Sequence, residues 1–76
     1  MIPERDFRGE IKEMGCTIDD RKAPHRVDIL YKGIFVSSYS VTHGKRTKGK
    51  EVKPPYVRAF RKAFPEVKAR IEDSYE

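Results

Sequence analysis

The sequence predicts an α+β fold in the order α-β-β-β-α, a three-stranded antiparallel sheet with its helices packed on one face. Three observations predict it. Apolar residues recur at helical spacing towards both ends of the chain. Between those stretches they alternate with a period of two. Glycine or proline stands at the joints. The 76 residues leave room for one domain, residues 1–76, around a single thin core.

The first helix opens at Pro3, with Glu4 and Asp6 near the positive end of its dipole. Phe7, Ile11 and Met14 follow at spacings of four and three, and Gly15 suits the C′ position, so the helix covers about residues 4–14. Cys16-Thr17-Ile18 reads as a short strand, ended by the polar run Asp19 to Lys22. Val27, Ile29 and Tyr31 alternate with Arg26, Asp28 and Leu30 as a second strand, and Lys32-Gly33 turns the chain. Ile34 to Thr42, rich in β-branched, aromatic and serine residues, is the hairpin partner. His43 to Lys53 reads as a loop. Pro54 and Pro55 start a second helix with the stripe Val57, Phe60 and Phe64, and Pro65 stops it. Val67 and Ile71 face inward on a further turn or two. A lone Cys16 between Met14 and Ile18 is a small core residue without a disulfide partner. With no secretory h-region and no apolar run long enough for a bilayer, the expected setting is cytoplasmic, without a membrane.

The formal net charge of +5 is unevenly placed: residues 1–28 carry −1, residues 29–70 carry +9 and residues 71–76 carry −3. Such asymmetry points to one surface that faces a polyanion. Lys45, Arg46, Lys48, Lys50 and Lys53 crowd one stretch opposed only by Glu51, and Gly44 and Gly49 let the backbone come close to a phosphate. That stretch leads into the N-terminus of the second helix, where free N–H groups favour anions. Arg58, Arg61 and Lys62 fall on the polar side of that helix. Together they read as a phosphate-binding surface; the plainer reading is a solvated loop and an ordinary polar helix face.

His25 precedes Arg26 at the head of the second strand, and His43 stands where the third strand meets the basic loop. An imidazole beside phosphate-binding cations is suited to RNA transesterification. One group takes the proton of a ribose 2′-OH, a second returns one to the leaving 5′-oxygen, and Lys or Arg stabilises the charged transition state. Lys22 and Arg26 stand close enough in sequence to His25 to hold the scissile phosphate. Both histidines also fit the surface of a binding module that cuts nothing. Tyr31, Phe35 and Tyr39 on the hairpin either stack on bases or pack in the core. No His/Cys pair has zinc-ligand spacing, and there is no P-loop, dinucleotide fingerprint or nucleophile elbow, so neither metal nor cofactor is expected.

The ordered set Met14-Gly15-Cys16, Pro24-His25-Arg26-Val27, Lys32-Gly33, Thr42-His43-Gly44 and the helix from Pro54 to Phe64 resembles the HicA family, small toxins of toxin–antitoxin pairs, over about residues 5–64. The resemblance implies a fold like that of double-stranded-RNA-binding domains. It implies metal-independent endoribonuclease activity on mRNA and neutralisation by a HicB-like antitoxin. Only His25 matches the family's catalytic histidine; His43 matches a recurrent position and is the candidate for a second proton-transfer or positioning residue. The sequence departs from the family in having Pro24 where Gly or Ser is usual, and in a longer loop from Gly44 to Lys53. Two readings from other classes stay open: a non-catalytic RNA- or DNA-binding protein, and a protein-binding domain whose basic patch docks an acidic partner.

Overall fold

A computed structural model describes residues 1–23, 25–43 and 49–74, with His43 and Ser74 by their backbones alone. Along these residues run β1 (Ile2–Pro3), α1 (Glu4–Glu13), β2 (Thr17–Ala23), β3 (Arg26–Tyr31), β4 (Ile34–His43), β5 (Lys50–Val52) and α2 (Pro54–Ser74). The class is α+β, as expected. The sheet, however, has five antiparallel strands in the order β1-β5-β4-β3-β2, where three were predicted.

Each boundary has a local cause. Gly15 ends α1 with φ +81°, a left-handed conformation that glycine adopts without a Cβ clash. The Gly15 N–H donates to the Lys12 carbonyl at 3.0 Å and the Cys16 N–H to the Ile11 carbonyl at 3.1 Å, the two bonds of a Schellman close. Lys32 and Gly33, with φ of 51° and 84°, form the two-residue turn between β3 and β4. Positive φ at both positions matches the twist of the flanking strands.

Three expectations are corrected. First, Ile2 pairs with Val52 and Pro3 with Glu51, while Val41 also pairs with Val52. Strands of two and three residues carry no readable period, so the N-terminal residues and part of the expected loop enter the sheet unannounced. Second, β2 runs through the polar stretch Asp19 to Lys22 instead of ending there. It is an edge strand with a register shift between Asp19 and Ala23, and edge strands tolerate charge on both faces. Third, Pro65 lies inside α2 and does not end it. Pro65 is exposed, so water can satisfy the carbonyl it leaves unbonded, while buried Ile71 and half-buried Val67 hold the last turns to the core.

Both helices cover the same face of the sheet. Phe7 and Ile11 of α1 and Val57, Phe60, Phe64 and Ile71 of α2 join Val27, Ile29, Tyr31, Tyr39, Val41 and Val52 in one core. Its rings meet edge to face: Phe7 with Tyr39 at 5.1 Å, Phe7 with Phe60 at 5.6 Å, and Tyr31 with Phe64 at 5.2 Å between centroids. Tyr31 and Tyr39 are therefore core residues and not a stacking platform, whereas Phe35 is exposed. Cys16 is buried, and burial raises its thiol pKa, which suits packing better than reactivity. By strand alternation the opposite face carries Arg26, Asp28, Ser38, Ser40, Thr42 and Glu51, and no described helix covers it. No described helix is long and apolar enough to cross a membrane.

Candidate nucleic-acid interface

His25 lies in the turn between β2 and β3, one residue ahead of the strand it was expected to open, and it is exposed. Its carbonyl accepts the Val41 N–H at 3.1 Å, which continues the β3–β4 pairing beyond Arg26 and Ser40 up to the histidine. The backbone beneath the imidazole is thus tied to a central strand.

The two cations that flank His25 in sequence share one anchor. Lys22 Nζ lies 3.4 Å from Asp28 Oδ2, and Arg26 Nε donates to Asp28 Oδ1 at 3.1 Å. Asp28 is only 5% exposed. A carboxylate so buried needs counter-charges, and each of its oxygens has one. Both cations remain largely in solvent. In register with Asp28 across the ladder is Asp19, whose carboxylate accepts the Arg21 N–H at 3.1 Å. That backbone bond, more than the Arg21 charge, holds the Asp19 pKa below its ordinary value.

A second buried carboxylate sits on the helix side of the sheet. Glu4 Oε2 accepts the Tyr39 hydroxyl at 3.0 Å and Arg8 Nε at 3.1 Å. Arg8 Nη2 reaches on to Asp20 Oδ2 at 3.6 Å. Burial, and then the bond to Glu4, push the Tyr39 pKa up, so the phenol stays a donor.

The expected phosphate contacts are divided by the fold. Lys22 and Arg26 flank the His25 turn. Lys50 lines a cleft beside α1, while Arg58 and Arg61 border a smaller depression next to Met1 and Ile2. Lys53, Arg58 and Lys62 are exposed. Arg61 is already engaged: its Nε and Nη2 meet Glu10 Oε2 and Oε1 at 3.1 and 2.7 Å, a two-pronged pair between the helices. The Arg61 bond lowers the Glu10 pKa and raises its own. Pro24, Gly44, Lys45, Arg46 and Lys48 lie outside the described residues, as does the side chain of His43. No group of His, Cys, Asp and Glu suited to a metal occurs among the described residues.

Sequence reasoning overlooked two features. Asp28 was read only as part of an alternating strand, although an acid two residues from Arg26 in a strand must share its face. It also overlooked Arg5 and Lys12, which line the cleft with Lys50. The negative net charge of residues 1–28 hid them. Neither a family model, nor a curated protein, nor a solved structure matches the chain.

Proposed function

We propose that this protein is an endoribonuclease of the HicA kind, the toxin of a toxin–antitoxin pair, which cuts mRNA without a metal in the cytoplasm and is neutralised by a HicB-like antitoxin. The observation that carries the reading is the exposed His25 on a tied turn, flanked by two cations that one buried carboxylate, Asp28, holds at 3.1 and 3.4 Å. Its β-β-β arrangement between two helices is also the order of double-stranded-RNA-binding domains, with two short strands added at one edge.

In this reading His25 removes the proton from a ribose 2′-OH. The freed oxygen attacks the neighbouring phosphorus, the bond to the 5′-oxygen breaks, and that oxygen takes a proton from a second acid, for which His43 is the candidate by its place in the sequence. The products are a cyclic phosphate and a 5′-hydroxyl. Arg26 uses Nε for Asp28, so its outer N–H groups are available to the phosphate, as is the exposed Lys22 ammonium. A defined RNA incubated with the protein and EDTA should be cut. His25→Ala should lower the rate by about 10²–10⁴-fold with an unchanged circular dichroism spectrum. A folded His25→Ala variant that cuts at the wild-type rate overturns the assignment.

The cleft beside α1 favours a second reading. Its cations line a space that His25 does not border, the arrangement expected of a protein that binds RNA or DNA and leaves it intact. Salt-sensitive binding with no cleavage would select that reading.

A further inference from the structure

We infer that the cleft between α1 and the start of β5 is a binding track for the phosphate backbone of a single RNA strand, separate from the His25 turn. The inference rests on the RNA reading above and deepens it by naming where the strand lies.

Helix α1 sorts its charges into strips. Arg5, Arg8, Gly9 and Lys12 stand at i, i+3, i+4 and i+7, one side of the helix. Asp6, Glu10 and Glu13 repeat at i, i+4 and i+7 on the adjacent side, and Phe7 and Ile11 face the core. The acids therefore do not interleave with the bases in space, although they do in sequence. Across the cleft Lys50 and Gly49 face the basic strip, and the space between is about 770 Å³.

The charges in the cleft are not equivalent. Arg8 is committed to Glu4 and Asp20. Burial works against its cation, but the bond and charge of Glu4 more than offset this and raise its pKa. Among the described residues Glu4 is the one acid lining the cleft, and it is buried and already bonded to Tyr39 and Arg8. Arg5, Lys12 and Lys50 are exposed and have no ion-pair partner among the described residues. Arg5 and Lys12 are two turns apart, about 10 Å along the helix, a spacing that follows a run of backbone and not one small anion. Gly9 lies between them, and a Cβ built there would meet nothing within 4 Å, so the floor of the cleft is open to a phosphate.

The test uses a fluorescein-labelled, 2′-O-methylated oligouridylate, which lacks the attacking hydroxyl and so reports binding without cleavage. The wild-type protein should bind it with an affinity that falls as salt rises. The double variant Arg5→Gln/Lys12→Gln should bind more than about tenfold more weakly at low salt, and its log–log salt slope should be shallower by about 1.4, two single-strand contacts. Gly9→Glu places an acid in the cleft at a position with free space and better helix propensity, so it should fold and bind weakly, while Gly9→Ala should bind as wild type. If the double variant and Gly9→Glu bind as wild type, or bind weakly with an unchanged salt slope, the track is wrong and RNA binding itself stands. If the wild-type protein fails to bind at low salt, the RNA reading falls and the track with it.

Discussion

Glu4 and Asp28 are both buried carboxylates, 7% and 5% exposed, yet their partners send them to different tasks. Glu4 faces inward. It accepts a buried phenol from β4 and a guanidinium from its own helix, and so joins α1 to the sheet beside Phe7 and Phe60. Asp28 lies on the face that no described helix covers, and its partners are two cations with most of their surface in water. In the first case the carboxylate fastens elements together. In the second it fixes where positive charge is offered to the outside, next to His25. A buried acid is thus a structural clasp or a positioning device according to whether its partners are themselves buried.

The largest expected effect tests the clasp. Glu4→Ala leaves the Tyr39 hydroxyl buried with no acceptor, while Arg8, about a third exposed, can turn to solvent. An orphaned buried hydroxyl costs about 1–3 kcal/mol, and the lost packing adds to it. Thermal unfolding should begin about 8–16 °C lower, for a loss of about 2 kcal/mol in a domain of this size. Tyr39→Phe should cost less, and the double variant should cost less than the two singles added, because the second change removes the orphan. Strict additivity would show that Glu4 and Tyr39 are not coupled.

The contrast also explains what could be read from the chain. Phe7, Ile11, Phe60 and Phe64 report their helices because a buried stripe repeats at the helical period whatever lies opposite. The β3–β4 hairpin is equally local: two alternating runs and Lys32-Gly33 specify it. The pairs Ile2–Val52 and Arg61–Glu10 join residues about fifty positions apart, and nothing in either local sequence marks its partner. The Pro65 reading failed for a related reason. A tertiary contact through Ile71 outweighs a local penalty, and local rules do not contain it. For the candidate site, His25 was legible as an imidazole beside bases, and the Arg26–Asp28 pair follows from strand alternation, but the anchoring of Lys22 on Asp28 depends on the path of an irregular edge strand. The cleft stayed hidden because net charge counts acids and bases along the chain, and α1 separates them around its axis.

The second expected effect tests the positioning device. Asp28→Asn keeps the shape and removes the charge that orders Lys22 and Arg26. Stability should fall by less than about 1 kcal/mol, because both cations can be hydrated where they stand. RNA affinity should not fall, since a negative charge has been taken from beside Lys22 and Arg26. Cleavage should fall by about tenfold, as a reacting phosphate is held less well in place. Equal losses of affinity and cleavage would mean that Asp28 supports the fold of the turn and not the placement of charge.

The smallest effect belongs to the third arrangement, the half-buried acid Glu10 and the base Arg61, which lies largely in water. Its two-pronged geometry is good, but solvent screens it, so a double-mutant cycle through Glu10→Gln and Arg61→Gln should return a coupling of about 0.5 kcal/mol. The pH dependence gives the same pair a sign. The Arg61 bond holds Glu10 below its ordinary value of 4.5, and the Arg21 N–H holds Asp19 below 3.8. A depressed carboxylate contributes stability that is complete above the unfolded value, because the unfolded chain takes up the proton first as the solution is acidified. Stability should therefore fall as pH drops from about 4.5 through the folded values. Glu10→Gln should flatten the limb most between about 4.5 and 3.8, where Asp19 has not yet begun to contribute. The alkaline limb has the opposite origin. Tyr39 and Cys16 titrate above 10.0 and 9.0 in the folded protein, so the unfolded chain loses those protons first and stability falls as pH rises past these values. Tyr39→Phe should shorten that limb without touching the acid one. Unfolding midpoints recorded from pH 3 to 11 on the wild type and both variants read out the parts played by Glu10 and Tyr39. An acid limb unchanged in Glu10→Gln would show that the pair between the helices contributes nothing to stability.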